Sequence, residues 1–191
     1  PEWCWHMLHT ERRTFRNIMG HAKNVQDNSS LFSWTAEQFD PRLSWDDVAR
    51  SKDLWGGKLI IKGIMEPEDA EKAAKSGADA LVVSNHGGRQ LDDTVSSIKA
   101  LPDIVSAVGS DIEVWMDSGI RSGQDILKAW ALGAKGTMIG RAFLYGEEGV
   151  TRALEILYKE MDISMAFTGH RNIQDVDASI LQSTRWPNDK F

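Results

Sequence analysis

The sequence predicts an α/β protein with a parallel sheet. Three observations predict it: short apolar runs alternate with helix-like stretches from about Leu59 onward, those runs lack the in-and-out alternation of half-exposed strands, and glycine-bearing turns recur between helix and strand. Leu59-Ile60-Ile61-Lys62 reads as the first strand. Glu66-Pro67-Glu68-Asp69 follows, an acidic first turn with proline near its start, and opens an alanine-rich helix that closes at Ser76-Gly77. Ala80 to Ser84 repeats the strand signal, Val95 to Val108 the helix signal, Ile112 to Asp117 the strand, Gln124 to Leu132 the helix, and Gly136 to Ile139 a last strand. The turns Ser76-Gly77-Ala78-Asp79 and Leu132-Gly133-Ala134-Lys135 place glycine where a helix C-terminus takes a left-handed residue. Upstream, Ser44 with Asp47 three residues on opens a helix in a capping-box pattern, and Gly56-Gly57 closes it. Repeated βα units with short connections fit either a doubly wound sheet or a (β/α)8 barrel. A barrel needs eight strands in about 250 residues, so the roughly four strands here would be its second half.

Composition narrows the function classes. With 191 residues, 41% apolar and 26% charged, the chain can bury a sizeable core and is neither disordered nor collagen-like. No apolar run approaches the roughly 18 residues of a membrane-spanning helix, and no secretory signal is visible. The one cysteine, Cys4, fits a reducing compartment, and a net charge of -6 argues against a general nucleic-acid binder. A small-molecule enzyme is the starting expectation. The chain begins Pro1-Glu2-Trp3, without an initiator methionine, and is expected to be part of something longer.

Ligands of parallel α/β folds bind at the C-terminal ends of the strands, so the polar residues that interrupt each apolar run there are the candidates. They are Lys62-Gly63, then Ser84-Asn85-His86-Gly87-Gly88-Arg89-Gln90, then Asp117-Ser118-Gly119-Ile120-Arg121-Ser122-Gly123, then Gly140-Arg141. In the last two segments Gly119 and Gly123 would let backbone N–H groups approach a ligand, the helix starting near Gln124 offers its positive dipole end, and Arg121 and Arg141 can fork onto phosphate oxygens. That describes a phosphate site, placed where barrels usually carry one. The plain alternative is that both glycines serve turns and both arginines are solvated. His86, freed of neighbouring bulk by Gly87-Gly88, can take a proton, and Arg89 can hold a substrate carboxylate in register with it. Lys62 either snorkels outward or supplies fixed positive charge beside a group that becomes anionic. Cys4, His6 and His9 complete no metal-ligand set, so no metal is expected.

SNHGGRQLD at Ser84 to Asp92, DSGIRSGQD at Asp117 to Asp125 and GRAFLYG at Gly140 to Gly146 resemble the FMN-dependent 2-hydroxy acid dehydrogenase and oxidase family. The likeness covers nearly the whole chain and is nearest in look to the bacterial L-lactate and mandelate dehydrogenases. It implies the C-terminal half of a (β/α)8 TIM barrel with FMN at its mouth. By that resemblance His86 is the active-site base and Arg89 the carboxylate clamp. Lys62 lies against the flavin N1 and O2 edge, and Ser84 touches the flavin. Asp117, Gly119, Arg121, Gly140 and Arg141 hold the ribityl chain and phosphate. The implied reaction is oxidation of an L-2-hydroxy acid, lactate or similar, to the 2-oxo acid, with quinone, cytochrome or oxygen as electron acceptor and a homo-oligomer, a tetramer, as the assembly.

Two departures bear on these expectations. Ser118 stands where many members have a second glycine, though the mandelate-type members resemble this chain there. An aspartate that orients the base histidine comes, in the family, from earlier strands than those present here, so an alternative is a flavin- or phosphate-binding half-barrel without turnover unless the N-terminal half complements it. Three regions are expected: 1–40, 41–184 as the half-barrel, and 185–191 as a tail. Between Pro1 and Asn24, Arg12, Arg13, Arg16 and Lys23 face two acids among tryptophans and aliphatics. The family reading of residues 1–40 is a peripheral contact with the inner membrane by a cytoplasmic enzyme; the equal alternative is a surface loop packing its tryptophans on protein.

Overall fold

The computed structural model describes residues 2–9, 18, 21–22, 25, 27–38, 40–144 and 149–182. The chain divides into two compact units, Pro1–Ser44 and Trp45–Phe191. The first contains α1 (Glu2–His9) and α2 (Asn28–Glu37). In α1 the Trp5 and His9 rings lie 4.0 Å apart, and Trp5 and Leu8 are exposed. Asp27 caps α2, accepting from Ser30 N–H at 2.7 Å. The tail expected at 185–191 lies outside the described residues, as does most of the basic stretch Arg12 to Lys23.

The second unit runs α3 (Trp45–Trp55), β1 (Ile60–Ile64), α4 (Pro67–Lys75), β2 (Ala80–Val83), α5 (Ser97–Val108), β3 (Glu113–Met116), α6 (Gly123–Ala131), β4 (Gly136–Thr137), α7 (Arg141–Leu144) and α8 (Gly149–Phe167). The four strands are parallel in the order β1-β2-β3-β4. Strand order equal to chain order, with a helix on each of the first three connections, is the arrangement of a barrel wall rather than of a doubly wound sheet, whose order reverses at a switch point. α3 ends where Gly56 turns left-handed at φ +66°, and α4 begins with Pro67 at its first position after Glu66, both as the sequence indicates.

Every residue of β2 is buried, which is why its run does not alternate. The core joins Leu81 and Val83 to Val114 and Met116 of β3 and to the stripe Ala100, Leu101, Ile104 and Val108 of α5. Fully burying one such leucine or isoleucine contributes about 1.5–3 kcal/mol. A second cluster packs Leu127 and Ala131 of α6 on Met165 of α8 and on Val176 beyond it. β1 runs two residues past the expected Lys62, through Gly63 to Ile64. Its pairing with β2 shifts between Lys62 and Ile64, and Gly63 takes φ +101° at that irregularity.

Candidate active site

The carboxyl ends of all four strands open into one cavity of about 890 Å³. Lys62, His86, Arg89, Asp117, Gly119, Arg121, Gly140 and Arg141 all line it. Ser84, the remaining residue singled out in the sequence, is fully buried just beneath, its hydroxyl 3.0 Å from Lys62 Nζ. Among the described residues, four lysines and arginines therefore face one carboxylate there, in a chain whose net charge is -6. Such a concentration of one sign in a concave site attracts anions.

Each strand end supplies its part through local geometry. Lys62 projects from β1 and pairs with Asp117 Oδ2 at 2.9 Å. Burial pushes the Asp117 carboxyl up, but hydrogen bonds from Ser84, Lys62 and Ser118 outweigh it and hold the group below the ordinary aspartate range. Lys62 is thus a fixed cation, half-exposed and steered by two partners. After β2, Ser84 Oγ accepts the His86 N–H at 3.1 Å, and His86, Gly87 and Gly88 form a tight 3-10 turn. His86 itself is left-handed at φ +55°, a conformation that costs a non-glycine residue about 1 kcal/mol or more. That turn lays the imidazole over the β1 irregularity: a β-carbon on Gly63 would stand 2.7 Å from His86 Nε2. Gly63, marked in the sequence only as following Lys62 at a strand end, thus leaves room for the His86 ring.

After β3 the chain turns left-handed twice, at Ser118 (φ +69°) and Gly119 (φ +96°). Ser118 thus stands where glycine is the easier residue. Ser118 Oγ donates to Asp117 Oδ1 at 2.8 Å and accepts the Gly87 N–H at 3.0 Å. Arg141, after β4, reaches back to donate to the Gly87 carbonyl at 3.0 Å, and a β-carbon on Gly87 would meet its Nη2 at 2.7 Å. Sequence reasoning marked Gly87 as removing bulk beside His86; what the missing side chain admits is the Arg141 guanidinium.

One expectation needs correction. Gly123 does not bring its N–H to a ligand: that group donates to Glu160 Oε2 at 2.8 Å, and a β-carbon there would lie 2.2 Å from Met161 N and 2.3 Å from Leu157 O. Gly123 is where α6 and α8 meet backbone to backbone. Asp125 takes the N–H groups of Arg121 and Ser122, and Ser122 caps Asp125 in return. Much of the α6 N-terminus is thus satisfied by protein, and Arg121, Arg141 and the loops at Gly119 and Gly140 are what remains at that end of the cavity. At both of those glycines an added β-carbon would meet nothing within 4 Å, so open space lies over them. Two guanidiniums beside two bare backbone loops, with a lysine at the far strand, fit a ligand that is a phosphate at one end and gains charge at the other. Among the described residues no group of three or more His, Cys, Asp or Glu could hold a metal ion, and no helix is long and apolar enough to cross a membrane.

The geometry agrees with the company the chain keeps. Residues 1–183 match the family model described as FMN-dependent dehydrogenase. L-lactate dehydrogenase of Caulobacter vibrioides is 45% identical over 190 residues, covering 95% of this chain and 49% of the relative. L-lactate dehydrogenase of Pseudomonas syringae pv. syringae is 49% identical over 168 residues, covering 85% and 43%. Among solved structures, the monotopic membrane protein (S)-mandelate dehydrogenase superposes with a TM-score of 0.82 at 33% identity, over 95% of this chain and 49% of that one. A mandelate oxidase variant holding a monooxide FMN adduct gives 0.68 at 40% identity, over 73% and 46%. The chain spans about half the length of the curated relatives it matches, their C-terminal half, and its four βα units are the second half of a TIM barrel. The chain belongs to the FMN-dependent dehydrogenase family.

Proposed function

We propose that this chain supplies the FMN- and substrate-facing mouth of an enzyme that oxidises an L-2-hydroxy acid, lactate or an aromatic relative, to the 2-oxo acid. The observation that carries the proposal is the convergence of Lys62, His86, Arg89, Arg121 and Arg141, from four successive strand ends, on one cavity. Arg121 and Arg141 would hold the FMN phosphate, with Asp117, Gly119 and Gly140 along the ribityl chain and Lys62 and Ser84 at the ring edge. FMN, when bound, supplies the acceptor for the two electrons that leave the substrate. Arg89 fixes the substrate carboxylate, which presents the hydroxyl-bearing carbon to His86. His86 takes the proton released, as a general base seated by its turn against Gly63. Lys62 keeps positive charge where negative charge accumulates, and its pairing with Asp117 prepays the orientation.

The neighbour described as a monotopic membrane protein, together with exposed Trp5 and Leu8 on α1, supports a peripheral membrane contact through residues 1–40 of a cytoplasmic enzyme. Family likeness supports a quinone, cytochrome or oxygen as acceptor, and a tetramer. A second reading is a half-barrel that binds flavin or phosphate without turnover unless an N-terminal half complements it.

Anaerobic addition of L-lactate or mandelate to the FMN-loaded protein tests the assignment. Bleaching of the flavin absorbance supports turnover, and bound but unbleached flavin supports the second reading. His86→Asn should retain FMN while slowing bleaching by about 100-fold or more. Near-normal bleaching in that variant removes His86 from its role.

A further inference from the structure

The turns after β2 and β3 face each other, and each holds a non-glycine residue in a left-handed conformation: His86 at φ +55° and Ser118 at φ +69°. Ser118 Oγ lies 2.8 Å from Asp117 Oδ1 and 3.0 Å from Gly87 N. An ionised carboxylate has no proton to give, so the hydroxyl donates to Asp117 and turns its lone pairs to the Gly87 N–H. Asp117 is anchored in turn by Lys62 Nζ at 2.9 Å. The direction of every bond is thereby set, from Lys62 through Asp117 and Ser118 to the peptide that follows His86. Asn85 Oδ1 also reaches this N–H, at 3.1 Å, but Asn85 belongs to the same turn and moves with it. Ser118 is the bond that ties the turn to β3. Glycine would suit the backbone at 118 better, and the hydroxyl that stands there instead engages Asp117 and Gly87 at once.

We propose that Ser118 is a positioning residue for His86: its hydroxyl, aimed by Asp117, fixes the left-handed turn that lays the imidazole against Gly63. The proposal rests on His86 as the proton acceptor. It gives the side chain at 118 a task in the site that the resemblance alone does not assign.

The test is Ser118→Gly in the 191-residue chain, a substitution that relieves the backbone and so keeps the fold. Hydrogen exchange at the Gly87 amide and the ring resonances of His86 are read by NMR at one pH, with a parallel FMN titration of the unsubstituted chain. The expected result is an unchanged or higher melting temperature, Gly87 exchange faster by about fivefold, and His86 ring signals that shift and broaden. A folded Ser118→Gly with Gly87 exchange and His86 signals like those of the parent overturns the proposal. Failure of the parent chain to bind FMN would count against the functional reading instead, and the two are separable because neither NMR signal needs flavin.

Discussion

The two ends of the sheet carry the same kind of ion pair in different settings. At the N-terminal end Asp79 accepts from Lys52, from Lys58 at 2.7 Å and from the Leu59 N–H at 2.9 Å, while Lys52 also donates to the Gly57 carbonyl at 3.0 Å. That cluster stitches α3 to the starts of β1 and β2 and leaves its charges mutually satisfied. At the C-terminal end Asp117 pairs with Lys62, but three arginines share the cavity with no second carboxylate among the described residues that line it. The difference teaches which end holds the fold and which is charged for a ligand. It matches the division of labour of parallel barrels, in which the N-terminal face stabilises and the C-terminal face does chemistry.

The comparison breaks if substitutions at the two ends have interchangeable effects. The largest expected effect at the mouth is Arg121→Ala, which should weaken FMN or inorganic phosphate by about tenfold or more with the melting temperature unchanged; isothermal titration checks it. Gly63→Ala adds a β-carbon 2.7 Å from His86 Nε2 at φ +101°, and should cost about 1–3 kcal/mol in urea unfolding while displacing the ring. Lys62→Met should cost about 1 kcal/mol, because the pair is partly solvated, and let the Asp117 carboxyl rise toward its ordinary value by carbon NMR. Asp79→Asn should do the reverse of Arg121→Ala, lowering the melting temperature and leaving phosphate affinity alone.

Acid sharpens the same contrast. Lys52, then Lys58 and the Leu59 N–H, hold the Asp79 carboxyl far below the usual carboxylate range, and Asp117 is lowered too. A folded pKa below the unfolded one means that the unfolded chain binds more protons between the two. The stabilisation is therefore complete above about pH 4 and is lost as pH falls through the lowered values. Asp79→Asn should flatten that acid limb more than Asp117→Asn, as followed by circular dichroism against pH.

The strands were legible because burial on both faces leaves an unbroken apolar run, as in Ala80 to Val83, and their polar ends were legible because ligand sites interrupt such runs. α8 was not read from the sequence. Leu157 and Met165 are buried on it while Val150, Leu154, Ile163 and Phe167 are exposed, so its apolar residues form no single stripe. Gly123 was misread because a glycine beginning a helix looks the same whether a ligand or another helix comes close; only the α8 backbone at 2.2 Å distinguishes them. The left-handed backbone of His86 had no signal, since histidine does not demand it, and at 118 the one hint was the resemblance, in which many members carry glycine.

The most direct test of the central claim, that successive strand ends aim their cations into one anion-binding mouth, is phosphorus NMR of FMN added to the chain and to its Arg121→Ala and Asp79→Asn variants. The expected result is a shifted, broadened phosphate signal with the parent and with Asp79→Asn, and with Arg121→Ala a titration that needs about tenfold or more FMN to reach the same shift. A signal that stays free with the parent, or a titration with Arg121→Ala that matches the parent's, would contradict it.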